Sequence, residues 1–232
     1  MRTFLINLDR DTTRLGHMKA MLAGLGIAYE RQSAIYAKEL SRSELKRLFR
    51  PVRSFIACRE CMPVGAIGCA LSHNAVYRRM IEEDIPVALV LEDDIVIESG
   101  FTELLGKAKE FLDPSRPQIL QFSAWKDGRD GNDVPDGIVE EDGLFCTDAY
   151  CVTLAAARLI LKVNSPVITV ADSFRRWHKR FGLELFRIYP TTVRQDNDTF
   201  GTNISGDEKR HIPSFLRSLL RSIDRLLIAI KV

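Results

Sequence analysis

Long apolar runs are missing from this 232-residue chain. No window approaches the roughly 18 consecutive apolar residues of a membrane span, so no spanning helix is expected. Cysteine is sparse and odd in number, with five thiols at Cys58, Cys61, Cys69, Cys146 and Cys151. Met1-Arg2 leads into Thr3–Leu8, which is too short for a secretory apolar region and has no small-residue cleavage site. Reduced thiols in a cytosol are therefore expected. Cys58-x-x-Cys61 lacks the second pair or nearby histidine that tetrahedral zinc requires, and reads as loop thiols. Charge of one sign is not in excess either: 33 Lys and Arg face 31 Asp and Glu, a net +2. With no recognisable binding motif, that balance excludes nucleic acid as an expected partner. No internal repeat is visible. What remains is ordinary globular composition, 46% hydrophobic and 28% charged, expected to form one domain over 1–211 with a separate helix over 212–232.

The most informative stretch is Val87-Ala-Leu-Val-Leu-Glu-Asp-Asp-Ile-Val-Ile97. Val87 to Leu91 is β-branched and Leu-rich after Pro86 and reads as a buried strand. Glu92, Asp93 and Asp94 then set three carboxylates where the strand leaves the core. Buried carboxylates need a cation, a basic side chain or water. Hard divalent ions such as Mg²⁺ or Mn²⁺ take such oxygens together with substrate phosphates. Alternate residues of an extended segment share a face, so Glu92 and Asp94 are expected to converge on one ion while Asp93 points away. The alternative is a strand end whose acids cap the next helix or face solvent.

Along the chain, strands and helices alternate. Strands are expected at 3–8, 29–34, 87–97, 118–123, 145–153 and 185–189. Helices are expected from Thr12 or Thr13 to about Leu25, from Ser41 or Ser43 to near Phe49, and over 67–81, 102–112, 154–163 and 172–181. Pro51 is read as lying beyond the second helix. Lys126–Gly143 is rich in Gly and Asp and reads as a mobile loop or hairpin. This order predicts an α/β fold with a mostly parallel sheet and an antiparallel element late in the chain.

Several segments match one family in order: Phe4-Leu-Ile-Asn-Leu-Asp-Arg10 with Arg14, Gly65-Ala-Ile-Gly-Cys-Ala-Leu-Ser-His73, and Ala88-Leu-Val-Leu-Glu-Asp-Asp-Ile95. Ala149-Tyr-Cys-Val-Thr153, Pro166 with Asp172, and Ile188-Tyr-Pro-x-x-Val-x-Gln195 follow. On these the chain resembles glycosyltransferase family 25, which includes bacterial lipopolysaccharide and lipooligosaccharide galactosyltransferases. Ala66 and Cys151-Val-Thr153 depart mildly from the family pattern. The resemblance implies a GT-A-like fold, a UDP-sugar donor (UDP-galactose foremost), Mn²⁺ or Mg²⁺, inversion at the anomeric carbon, and a glycolipid or oligosaccharide acceptor.

Within that frame Asp94 is expected to ligate the metal directly and Glu92 to reach the metal or the ribose. Asp93 is assigned to donor sugar hydroxyls or to bracing the turn. Asn7, Asp9, Arg10 and Arg14 follow the first strand, where open α/β sheets gather ligands. An amide and an acid there suit a uracil edge or ribose, and an arginine suits phosphate. Gly65 and Gly68 fit a backbone running close to a ligand or a crowded turn, and Ser72 and His73 on the succeeding helix join the donor site. Asp172, after the apolar run 167–171, is the expected general base; as an ordinary helix cap it would have no such role. Asp148 and Gln195 are further candidates.

Phe215, Leu216, Leu219, Leu220, Ile223, Leu226, Leu227 and Ile230 recur at helical spacing, with Arg217, Arg221 and Arg225 on another face. A basic amphipathic helix of this kind suits an anionic membrane, so peripheral contact through 212–232 at the inner face of the bacterial cytoplasmic membrane is expected. Packing onto the domain or a second subunit is the alternative. Two rival functions stay open: a nucleotide-sugar-binding module without turnover, and a metal-dependent nucleotide-sugar hydrolase.

Overall fold

The computed structural model describes residues 1–123, 136–196, 199 and 214–229. Nine strands and eight helices are named here: β1 (Arg2–Asn7), α1 (Thr12–Gly24), β2 (Glu30–Ser33), α2 (Arg42–Leu48), α3 (Pro51–Cys58), α4 (Val64–Glu82), β3 (Val87–Glu92), β4 (Ile95–Ile97), α5 (Phe101–Phe111), β5 (Gln118–Gln121), β6 (Gly137–Glu140), β7 (Ala149–Thr153), α6 (Leu154–Asn164), α7 (Phe174–Phe181), β8 (Glu184–Tyr189), β9 (Val193–Gln195) and α8 (Ser214–Ala229).

Seven strands form one mixed sheet in the order β2-β1-β3-β7-β5-β8-β6, and β4 pairs with β9 in a separate ribbon. Five of the seven run one way; β7 and β6 oppose their neighbours. The α/β expectation holds, with the antiparallel element late in the chain. The central strands are buried on both faces, so their side chains divide by parity. Phe4, Ile6 and Val90 pack against Val76, Tyr77 and Ile160 of α4 and α6, with Trp177 of α7 in the same cluster. Leu5, Leu89 and Leu91 pack on the other side against Met18, Leu22 and Phe101 of α1 and α5.

The structure corrects several expected elements. Pro51 lies beyond α2 as expected and also opens a further helix: it occupies the first turn of α3, where its missing N–H is not needed. α4 begins at Val64, because Gly65 enters its first turn rather than a loop. Part of the segment read as a mobile loop or hairpin, Gly137–Glu140, is an edge strand antiparallel to β8; residues 124–135 lie outside the described residues. Helix α7 starts at Phe174 with Ser173 as N-cap, so Asp172 stands before the helix and not within it.

α8 lies against the domain rather than apart from it. Leu220 is buried, and buried Asp224 accepts from Arg176 at 2.7 Å and pairs with Arg180 at 3.3 Å. Leu219 and Leu226 remain exposed at 54% and 64%. No described helix is long and apolar enough to cross a membrane.

Candidate functional site

Sheet order brings the site together. β1 and β3 are parallel neighbours with Ile6 opposite Glu92, so their carboxyl ends lie side by side. β7 runs against β3, which carries the residues just before it to the same edge: the Glu92 amide donates to the Asp148 carbonyl at 2.8 Å. The crevice at these strand ends is where an open α/β sheet places ligands. A cavity of about 150 Å³ lies there, and Asn7, Arg14, Ser72, His73, Gln195 and all three acids line it.

The three acids do not divide as period-two alternation predicts. β3 ends at Glu92, and Asp93 and Asp94 occupy a bend before β4. Alternation stops at the bend, and Asp93 turns to the same cavity instead of away from it. Asn7 donates to Asp93 Oδ2 at 2.6 Å. Buried Arg14 donates to Asp93 Oδ1 at 3.0 Å and to Asp94 Oδ2 at 3.2 Å. Burial still raises the Asp93 pKa against these two donors. Asp94 is pushed up to about 7, first by burial and then by the negative charge of Glu92. Its Oδ1 is buried without a hydrogen-bond partner.

Glu92 takes the opposite direction. Burial works against its charge, but the hydrogen bond and charge of His73, with the Thr147 hydroxyl, hold it below its ordinary value. His73 Nε2 lies 3.1 Å from Glu92 Oε1, and Nδ1 lies 2.8 Å from the Tyr150 hydroxyl. Tyr150 is in turn 2.6 Å from Tyr77. This buried chain fixes the imidazole. Donor atoms of Cys69, His73 and Glu92 lie within 4.8 Å of one another. Burial, and next the charge of Glu92, keeps the Cys69 thiol protonated, so the trio presents nitrogen and oxygen rather than thiolate.

The remaining candidates fall into two groups. Gln195 lines the cavity because β9 pairs with β4 and the Asp196 amide donates to the Asp94 carbonyl at 2.7 Å. Asp172 accepts from the Cys146 amide at 3.3 Å and is raised chiefly by burial, with the charge of Glu92 adding to it. Asp148 is raised to about 6 by burial, while Ser123 donates to it at 2.5 Å. Asp172, Asp148, Asp9 and Gly68 do not line the cavity. The Asp9 side chain is 74% exposed and accepts from Arg31 and Ser33 at 2.6 and 2.8 Å. Gly68 abuts the next segment: a Cβ there would sit 2.5 Å from the Ile35 carbonyl oxygen. Ser72 works at the same junction, donating to the Gly68 carbonyl at 2.7 Å and accepting from the Ile35 amide at 2.8 Å.

Several residues escaped the sequence reading. Arg31 donates to Asn7 Oδ1 at 2.9 Å and orients its amide. Thr147 and Tyr150 reach Glu92 and His73 only because β7 is antiparallel to β3, which no local pattern announces. Tyr36 lines the cavity with Lys38 and stacks under the Arg10 guanidinium at 3.9 Å.

A hard divalent cation fits this donor set. Three carboxylates line one small cavity with Arg14 and Lys38 as the fixed cations among the described lining residues. A buried carboxylate oxygen without a partner is costly unless a cation or a donor completes it. Oxygen donors at the end of a strand suit Mg²⁺ or Mn²⁺ better than a soft metal.

The family model for glycosyltransferase family 25 (LPS biosynthesis protein) matches residues 1–133. A glycosyltransferase 25 family member of Anopheles gambiae is 35% identical over 169 residues, 68% of this chain and 28% of that protein. Procollagen galactosyltransferase 2 of Homo sapiens is 28% identical over 173 residues, 69% of this chain and 27% of that protein. The chain thus spans little more than a quarter of the length of these relatives. Among solved structures, A197 from STIV gives a TM-score of 0.46 at 13% identity, covering 92% of this chain and 98% of that one. The galactosyltransferase LgtC, in complex with donor and acceptor sugar analogues, gives 0.37 at 13% identity over 85% and 68%.

Proposed function

This chain belongs to glycosyltransferase family 25, and on that premise we propose that it is an inverting, metal-dependent hexosyltransferase. The donor is a UDP-sugar, galactose foremost, in keeping with relatives named as galactosyltransferases. The acceptor is a lipopolysaccharide, lipooligosaccharide or related glycan, in keeping with the family description. Such an acceptor places the enzyme at the cytoplasmic face of the membrane, with 212–232 as its peripheral contact.

The observation that carries the reading is the unpartnered, buried Oδ1 of Asp94 beside Glu92 and Asp93 at the carboxyl ends of β1 and β3. Asp94 and Glu92 would hold a divalent cation. When bound, that ion supplies Lewis-acid stabilisation of the diphosphate leaving group. Arg14, anchored on Asp93 and Asp94, keeps the acids apart and in place. Asn7, oriented by Arg31, presents a polar edge for the nucleoside. His73, held by Tyr150, fixes Glu92 in its charged form.

Asp172 serves as general base. Transfer forms a bond from the acceptor oxygen to the anomeric carbon, breaks the bond from that carbon to the diphosphate oxygen, and passes the hydroxyl proton to the carboxylate. Its raised pKa moves it toward the range where a base works best near neutral pH.

UDP release from a panel of UDP-sugars with Mn²⁺, with and without a lipooligosaccharide acceptor, tests the proposal. One donor should turn over, acceptor should raise the rate, and Asp94→Ala should abolish it. UDP-sugar loss that acceptor does not raise would instead indicate hydrolysis, and metal-dependent binding without turnover a binding module.

A further inference from the structure

A second and larger cavity, about 720 Å³, lies between α3, α6, α7 and α8 and shares no lining residue with the carboxylate site. Its volume falls within the ~300–1,000 Å³ of small-molecule sites. Its floor is apolar, made by Leu159, Val163, Trp177, Phe181 and Ile228. Its rim is basic, made by Arg53, Arg158, Lys162, Arg176 and Arg180. No acid is among the described lining residues. Asp224 pairs with Arg176 and Arg180, and Asp84 lies 3.8 Å from Arg158, so positive charge stays in excess. Burial, and then the neighbouring charge of Arg176, lowers the pKa of Arg180.

Two halves of one ligand answer these two halves of the cavity. Arginine forks pair bidentately with phosphate oxygens. An acyl chain removes the half-buried Leu159, Val163 and Phe181 side of the floor from water. Free phosphate would leave the floor bare, and a neutral apolar ligand would leave the guanidinium cluster uncompensated. We infer that this cavity binds one anionic phospholipid, its phosphate on the Arg and Lys rim and its acyl chain on the apolar floor. Binding there docks the protein on an anionic bilayer with α8 as one wall, and Leu219 and Leu226 of that helix are already exposed. The inference goes beyond the transferase reading and does not depend on turnover.

The test uses the full chain, with flotation on vesicles of phosphatidylglycerol in phosphatidylcholine against phosphatidylcholine alone, and native mass spectrometry for a lipid adduct. The expected result is selective flotation with phosphatidylglycerol and one retained lipid per chain. Arg158 and Lys162 are exposed at the rim and their charge reversal should not disturb folding. Arg158→Glu with Lys162→Glu should weaken vesicle binding by at least about thirtyfold, from roughly fivefold for the loss of each basic side chain near an anionic surface, before the repulsion of the two new acids. Leu219→Ser with Leu226→Ser should keep the one-lipid adduct. Equal flotation with phosphatidylcholine, or unchanged binding in the charge-reversed variant, would overturn the site. So would removal of the adduct by millimolar inorganic phosphate, which would reduce the cavity to a simple anion site.

Discussion

At the scale of single residues, Arg14 ties the site together. Its side chain is 9% exposed, and the guanidinium bridges Asp93 and Asp94. Removing one member of such a pair leaves the other charges buried and uncompensated, which costs about 3–5 kcal/mol. Arg14→Met should therefore lower the melting temperature by roughly 6–20 °C in a chain of this size, checked by calorimetry. A change within about a degree would mean the acids are already compensated by solvent. The raised carboxylates also set a pH dependence. Asp94 rises from 3.8 to about 7 and Asp148 from 3.8 to about 6, each chiefly through burial. An acid whose pKa is higher folded than unfolded holds its proton more tightly when folded. Its stabilising contribution is full below pH 3.8 and is lost as pH rises to the folded value. The metal-free protein should thus lose stability between pH 4 and 7, and urea midpoints across that window would read it. The sequence made Glu92, Asp94, Asn7 and Arg14 legible, because the first three sit on or just after a strand end and Arg14 in the first turn of the helix that follows β1. Asp9 stands outside the cavity lining, and its exposed carboxylate braces β1 to β2 through Arg31.

At the scale of elements, the long helix α4 shows how packing supports chemistry. Gly68 lets the helix approach the backbone of residues 35–37, which form one wall of the cavity, and Ser72 pins the same segment one turn later. Gly68→Ala would place a Cβ 2.5 Å from the Ile35 carbonyl and 3.2 Å from the Ala37 amide. Both are backbone atoms that yield only by moving the wall. Overpacking of this kind costs about 1–3 kcal/mol. The variant should melt lower and bind UDP more weakly, whereas Gly16→Ala, with nothing within 4 Å, should leave UDP binding unchanged. The glycine segment was readable as a close approach, but not what it approached: the partner is a backbone carbonyl, not a ligand. Pro51 stands beyond α2 as read, but the helix it opens went unread, because proline both stops one helix and suits the first turn of the next. The strand β6 hid in a Gly- and Asp-rich run because an edge strand needs little apolar sequence once β8 offers its backbone.

At the scale of the whole molecule, the site depends on sheet order more than on any motif. Asn7, Glu92, Thr147 and Gln195 come from distant parts of the chain and meet because β1, β3 and β7 are neighbours and β4 pairs with β9. The parallel half of that order follows from alternating strands and helices. The insertion of β7 between β3 and β5 does not, since a strand buried on both faces carries no period to reveal its direction. The same limit applies to α8: its stripe is visible in sequence, but the Arg176, Arg180 and Asp224 cluster that seats it is not. The central claim is that the carboxylates at the end of β3 hold a divalent cation that binds a nucleoside diphosphate. Calorimetric titration of UDP into the protein with Mn²⁺, with a chelator, and into Asp94→Asn tests it most directly. Binding should need Mn²⁺ and weaken by about tenfold to a hundredfold in the variant. No UDP binding in any condition, or equal binding with chelator and in Asp94→Asn, would contradict it.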